Sequence, residues 1–384
     1  MWVIFISLVL SLGYLLLAFA CVEKFHRTRK RLAIAVTHQP PVTLFKPVYG
    51  LSHEIKENLS SFCRQDYPVF QVIFGLHGDD DPIIPVIREI IAAHPDRDIK
   101  MVIAAERHGS NHKVSNLINM YPHAKHGIVL IADDDMRVPP DYLTQVVAPF
   151  ADPAIGAVTC LYSGSPRGGM ASALNAMFIN EWFLPSVLVS QCLKNEQFCF
   201  GATMALRRGI LEEIGGFNIL ADFLADDYML GKFVADRGHR IHLSHFVVEN
   251  IIHENSLVSM IQHELCWGRT IRTIAPLGYA FTVLTDSLVI SIFAAAGLLV
   301  YTHQLLPPGL LLGATSIIRI LFHLRTQHIL NCRQAGSVWL IPFRDLLTFS
   351  IRLASYTGRK IAWKNQTFSV DNTGLLRSQG MRHN

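Results

Sequence analysis

Apolar and polar positions divide the chain into three regimes. Met1 to Val22 holds no charged residue across 22 positions, enough for a helix to span a hydrocarbon core. It begins MWVIF, without the basic start or small-residue cleavage site of a signal peptide, and so reads as a retained anchor. From Pro40 the period changes. VTLFKPV reads as a strand, HEIKENLSSFCRQ as an amphipathic helix and FQVIFGLHGDDDP as a second strand. PVIREIIAAHP is then a helix, IKMVIAA a strand, GSNHKVSNLINMYPHA a loop entering a helix, and IVLIADDD a fourth strand. Strands alternating with helices at this spacing predict an α/β fold with a mostly parallel sheet. Further on, Ala157 to Tyr162 predicts a strand, Met170 to Val189 a helix and CFGATMALRR a strand containing Gly201. GILEEIGGF is a helix stopped by Gly215 and Gly216. A helix opening at Asp226 has an apolar face of Tyr228, Leu230, Phe233 and Val234.

The third regime is apolar again. Leu257 to Thr273 mixes His263, Trp267, Arg269 and Arg272 with apolar residues, the composition of an interfacial helix over residues 256–275. Pro276 to Thr302 carries the single charge Asp286; Leu305 to Leu324 carries Arg319 and is interrupted by Pro307 and Pro308. Together they predict a transmembrane hairpin over 276–324. Ser337 to Ser355 holds Arg344, Asp345 and Arg352, charges that make a full span costly, so 337–384 reads as an interfacial or re-entrant segment and a basic tail. In that tail Arg359, Lys360, Lys364, Arg377 and Arg382 face one acid, Asp371.

Composition agrees with membrane attachment. Half of the 384 residues are hydrophobic and 17% are charged, with a mean hydropathy of +0.29. A net charge of +4 does not call for a nucleic-acid partner. Five Lys/Arg between Lys24 and Arg31 place the α/β region in the cytosol by the positive-inside tendency, and Arg325 and Arg333 fit a return to that side. The seven cysteines contain no CxxC pair, so neither a zinc site nor a disulfide framework is indicated.

The chemistry gathers at strand ends. IVLIADDDMRV ends in Asp133, Asp134 and Asp135; Asp133 and Asp135 share one side of an extended segment, with Asp134 turned away. The second strand ends in Asp79, Asp80 and Asp81, at what a parallel sheet makes the same edge. Two converging acidic clusters require a counterion, and two oxygen ligands suit Mg²⁺ or Mn²⁺ with a diphosphate supplying more. Asp226 and Asp227 open a helix, where helix capping is the alternative to chemistry.

FKPVYG, QDYPVFQV, HGDDDP, NHKVSNL, IADDDMRV, MALRR…GGF and LADDY, in this order before a Trp-containing helix and a membrane hairpin, resemble the processive-type family 2 glycosyltransferases. The chain looks most like family 21, and in length and layout like its bacterial hopanoid-associated members. The resemblance covers nearly the whole chain and lies in the ordered set. It implies a GT-A-type nucleotide-sugar-binding domain over 40–255, behind a transmembrane anchor at 1–22. It further implies inverting transfer of a sugar from UDP-GlcNAc or UDP-glucose to a membrane-lipid hydroxyl at a bacterial inner membrane, with a hopanoid polyol favoured over ceramide or diacylglycerol. Carried over residue by residue, Asp227 is the catalytic base. Asp133 and Asp135 are the Mg²⁺ or Mn²⁺ ligands. Asp80, Asp81, Asn111, Lys113, Asp133, Trp267 and Arg269 meet the donor. The next family signature is Gln or Arg, two residues, then Arg-Trp; here the segment reads His263-Glu264-Leu265-Cys266-Trp267. Cys266 in place of arginine weakens a guanidinium clamp on the diphosphate, which Arg269 or Arg272 would have to replace, and favours a non-catalytic scaffold as the rival from another class, beside two enzyme rivals, a polysaccharide synthase and a transferase onto polyprenyl phosphate.

Overall fold

The computed structural model describes residues 2–31, 38–194, 198–332, 336–358, 360–363, 366–370 and 375–378. Arg333, Arg359, Lys364, Asp371 and Arg382 of the sequence reading lie outside the described residues. The chain divides into two units, one of Met1–Lys30, Ser163–Asn195 and Ile252–Thr373, the other of Arg31–Tyr162, Glu196–Ile251 and Gly374–Asn384.

The second unit is built on a sheet of β1 (Val42–Pro47), β2 (Phe70–Leu76), β3 (Asp98–Ile103), β4 (Ile128–Ile131), β5 (Met136–Arg137), β6 (Ile155–Pro166), β7 (Met204–Arg207) and β8 (Arg240–Ile252). Their order is β3-β2-β1-β4-β7-β6-β8-β5. The first four strands are parallel, while β7 runs antiparallel to β4 and β5 antiparallel to β8. The run-on apolar strands of the sequence are strands buried on both faces. Leu44, Val72, Phe74 and Leu130 enter one core; Phe45, Ile73, Val129 and Ile131, one position out of phase, enter the other.

The helices expected between these strands form at Ile55–Cys63, Ile84–Ala93 and His112–Met120. The helix expected over Met170 to Val189 is in three pieces, Met170–Phe178, a π-helical turn Ile179–Phe183 and Leu184–Lys194. Strand β8 went unpredicted: HLSHFVVENII mixes polar and apolar residues without clean alternation.

In the first unit, Trp2–Arg29 and Leu306–Leu330 are long and apolar enough to cross a membrane. Pro276–Thr285 and Ser287–Thr302 pass as one span only if the bent pair is counted together; they meet at 61°. The single limb expected over 276–302 is therefore broken at Asp286, its one charge. Pro307 and Pro308 do not interrupt the second limb. They start it, in the first helical turn, where the missing N–H costs nothing. Helix Ile341–Ser355, at 15 residues, is shorter than the roughly 20 residues a span needs. Leu174, Met177 and Met260 pack with Leu340 and Ile341, which is why Ser163–Asn195 clusters with these helices.

Candidate active site

Because β1, β2 and β4 are adjacent and parallel, both acidic clusters leave the sheet at its carboxyl edge. Lys46, one residue from the end of β1, is fully buried there. Its Nζ donates to the backbone carbonyl of Asp133 and sits 3.8 Å from the centre of the Phe62 ring. Burial pulls its pKa down to about 8 against the attraction of Asp134, Asp133 and Asp135. Lys46 thus anchors the turn that presents the aspartates, and sequence reasoning gave it no role.

Lys113 links the two halves of the acidic constellation. It lies 2.7 Å from Asp133 Oδ1 and 3.4 Å from Asp226 Oδ2. Burial opposes its charge, but Asp133, Asp226 and Asp227 outweigh burial and hold the ammonium well above its ordinary pKa. Asp227 accepts from Gly201 N–H at 2.9 Å and from the N–H of Tyr228 at 2.8 Å. It therefore satisfies one free donor of its own helix, Asp226–Asp236, while Asp226 turns to Lys113 and to Asn111 Nδ2, 3.3 Å away. Burial and the neighbouring Asp226 raise Asp227 to about 6, with Lys113 opposing. Gly201 is held between these groups: a Cβ there would stand 2.7 Å from Asp133 Oδ2. A side chain here would press on the Asp133 carboxylate while the Gly201 N–H holds Asp227, so Asp133 would have to shift.

Asp135 has a partner that the sequence did not reveal. Asn250 of β8 donates to its Oδ2 at 2.9 Å, and Ile251 N–H to its backbone carbonyl at 2.9 Å. Its Oδ1 is buried without a hydrogen-bond partner. Burial, Asp133 and Asp134 push its pKa up to about 7. A buried unpartnered carboxylate oxygen beside two further acids is a poor resting arrangement unless a cation shares it. The residues fit an oxygen-seeking divalent ion held by one or two carboxylates and substrate phosphates. Among the described residues no group of three or more His, Cys, Asp or Glu is placed to hold a metal ion by itself.

The remaining expected residues are engaged in different ways. Asp81 accepts from Gly50 N–H (3.1 and 3.2 Å) and Ile83 N–H (3.0 Å), clamping the loop after β1. Asp80 is exposed beside it. Asn111 is fully buried; its Oδ1 caps helix His112–Met120 at Val114 N–H, and its Nδ2 donates to the Phe223 carbonyl. Trp267 and Arg269 belong to the other unit, on helix Leu257–Ile274. Trp267 meets His263 edge-on at 4.7 Å, and Arg269 lies against Gly358. Arg272 donates to the Gly358 carbonyl at 2.7 Å. Burial raises the Cys266 thiol to about 11, so it stays neutral.

A parallel sheet whose carboxyl edge carries an Asp-x-Asp turn, a second acidic turn and a buried carboxylate pair around one lysine defines the class: a GT-A-type glycosyltransferase with apolar membrane helices. The profile of glycosyl transferase family 21 matches residues 3–376, and the chain belongs to that family. It is 28% identical over 206 residues to ceramide glucosyltransferase 1 of Caenorhabditis elegans, covering 53% of this chain and 44% of that protein. It is 23% identical over 345 residues to ceramide glucosyltransferase 3 of the same organism, covering 86% of this chain and 73% of that one. The match to the first relative thus spans less than half of its length. Among solved structures, the mannosyltransferase PcManGT of Pyrobaculum calidifontis, in complex with GDP-Man and Mn²⁺, is similar in fold. Its TM-score is 0.53 at 19% identity, covering 91% of this chain and 98% of that chain.

Proposed function

We propose that this family 21 chain transfers one sugar from a nucleotide-sugar donor, UDP-GlcNAc or UDP-glucose, to a hydroxyl of a membrane lipid, with inversion at the anomeric carbon. The observation that carries the reading is the gathering of Asp133, Asp226 and Asp227 around Lys113 at the carboxyl edge of the sheet, with Asp135 near Asp133. Asp227, raised to about 6, is the general base; near neutral pH it is ionised yet basic enough to take the acceptor proton. Its hydrogen bond from Gly201 N–H fixes the carboxylate. Lys113 orients Asp133, and Asn111 acts through Asp226 and the helix it caps. Asp81 holds the loop after β1 against the donor, with Asp80 beside it. Trp267 and Arg269 are assigned to the donor by family resemblance. Asp133 and Asp135 would hold Mg²⁺ or Mn²⁺, which when bound neutralises charge developing on the leaving diphosphate. The Mn²⁺ and GDP-Man in the archaeal mannosyltransferase support a cation and a nucleotide sugar here.

The names of the curated relatives support a lipid acceptor. A hopanoid polyol is the acceptor we favour, with ceramide or diacylglycerol as alternatives. On this reading residues 40–255 are the catalytic segment, facing the cytosol of a bacterium. Residues 1–22 and 276–324 cross the inner membrane, and 256–275 and 337–384 lie at its surface. The basic run Lys24–Arg31 supports that orientation. Membranes containing the protein, incubated with labelled UDP-GlcNAc or UDP-glucose and lipid extract, are expected to yield a labelled lipid only when Mn²⁺ or Mg²⁺ is present. No metal-dependent lipid product from any donor would sink the reading and favour a scaffold, the one role to which Cys266 lends weight.

A further inference from the structure

Two of the seven cysteines meet where the N-terminal helix leaves the apolar regime. Helix Trp2–Arg31 buries Leu8, Ser11, Leu15, Ala18, Val22 and Phe25, spaced three and four apart, the stripe a helix lays against its neighbours. Tyr14 Oη and Ser186 Oγ lie 2.9 Å apart, which holds this helix beside Leu184–Lys194. Further along the same two helices, the thiols of Cys21 and Cys192 come within hydrogen-bond reach of each other. Just past Cys21, Glu23 is ion-paired with Arg325 of helix Leu306–Leu330 through a 3.1 Å bond. The helix is therefore pinned before and after Cys21, and the contact between the two sulfurs is fixed by packing.

The two thiols differ in access. Cys192 is the one exposed cysteine of the seven, while Cys21 is 5% exposed. Cys63, Cys160 and Cys199 are buried in the cores of the other unit, where a thiol serves as a small hydrophobe. The charge-free run ends at Val22, and Lys24 follows three positions after Cys21. The pair thus stands at the polar end of the anchor, where a dissolved oxidant has access to Cys192. An exposed thiol against a buried one is the arrangement of a reactive cysteine with a resolving partner.

We propose that Cys192 and Cys21 form a reversible, oxidant-sensitive disulfide that staples the N-terminal helix to helix Leu184–Lys194. The oxidant is a hydroperoxide. The Cys192 sulfur attacks one peroxide oxygen, the O–O bond breaks, and the thiol proton leaves with the other oxygen as water; Cys192 is then a sulfenic acid. The Cys21 sulfur attacks that of Cys192, the S–O bond breaks, and a second water carries away the Cys21 proton. The two thiols have together lost two electrons and two protons, and hydrogen peroxide has become two waters. A small dithiol restores both thiols by exchange. In the cytosolic orientation proposed above the surroundings are reducing, so the disulfide is a transient, sensing state and not a permanent framework. The step is independent of the sugar chemistry.

The test treats membranes containing the full chain with hydrogen peroxide, blocks remaining thiols with N-ethylmaleimide and digests the chain without reduction. Mass spectrometry is expected to find the Cys21 and Cys192 peptides joined, and separate after dithiothreitol. Maleimide labelling of Cys192 should be lost on oxidation and return on reduction. Cys21→Ala keeps a small apolar group at the buried position and removes the resolving sulfur. In that variant Cys192 should accumulate as a sulfenic acid, trapped by dimedone, whereas Cys192→Ser should leave Cys21 unreacted. An unchanged elution peak in detergent reports that both variants are folded. Dimedone capture of Cys192 in the unsubstituted chain equal to that in Cys21→Ala would overturn the proposal, since no sulfur would then be at hand to resolve it. So would a Cys192 disulfide to any other cysteine or to a second molecule, or full maleimide labelling of Cys192 after peroxide.

Discussion

Asp227 accepts two backbone N–H bonds and still stays near pH 6 because burial and Asp226 act against ionisation. Its pKa is raised, so the base is protonated and idle below about 6 and ionised above. The rate kcat/KM should therefore rise with pH through about 6 and fall away below it; a profile flat from pH 5 to 8 would remove Asp227 from the base role. Asp227→Asn should lower kcat by about 10²–10⁴-fold, the range for a lost general base, while calorimetry still detects donor binding. Asp135, raised to about 7, must ionise to hold a cation, so Mn²⁺ affinity should weaken as pH drops below 7. Gly201→Ala inserts a methyl 2.7 Å from Asp133 Oδ2. Activity should fall by about 100-fold, the cost of small misplacements in an oriented site, with little change in thermal unfolding. The aspartates were legible because consecutive acids after an apolar strand stand out. Lys46, Gly201 and Asn250 were not: a lysine in FKPV, a glycine in CFGAT and an asparagine in VVEN look ordinary until the fold brings them to Asp133, Asp135 and Asp227.

At the scale of elements, β1 to β4 and their helices were legible as apolar runs bounded by turn residues. Their buried alternation splits neatly between two cores because both faces are covered. Strand β8 escaped because its polar residues fall on both phases, and the register Met136↔Asn250 that gives Asp135 its partner is a long-range pairing. The charges in the apolar C-terminal third had counted against a full span there. Most are in fact consumed in buried pairs: Arg344 with Glu264, Arg352 with Asp286, Arg319 with Glu181 and Asp345. Removing one member strands the other, so Arg344→Met should destabilise the protein by about 3–5 kcal/mol. Replacing Glu264 by Gln in the same chain should recover part of that loss. Thermal unfolding in detergent reads both, and equal loss in single and double variants would deny the coupling.

For the whole molecule, membrane attachment is written twice, in Trp2–Arg29 and in Leu306–Leu330. A chain lacking residues 2–31 should still sediment with membranes after carbonate washing, held by the second helix. Recovery in the supernatant would make the first helix the sole anchor.

The sequence by itself determined the regimes: apolar runs for the membrane, alternating strands and helices for the parallel sheet, and acidic strand ends for the chemistry. Each is a local property, set by side-chain period and by charge at the end of an element. Only the tertiary structure decided which charges are partners, which glycine lies against the Asp133 carboxylate, and that an apolar stretch bends at its lone acid, Asp286, with one carboxylate oxygen unsatisfied. Those depend on contacts between residues tens to hundreds of positions apart, and local pattern carries no record of such distances.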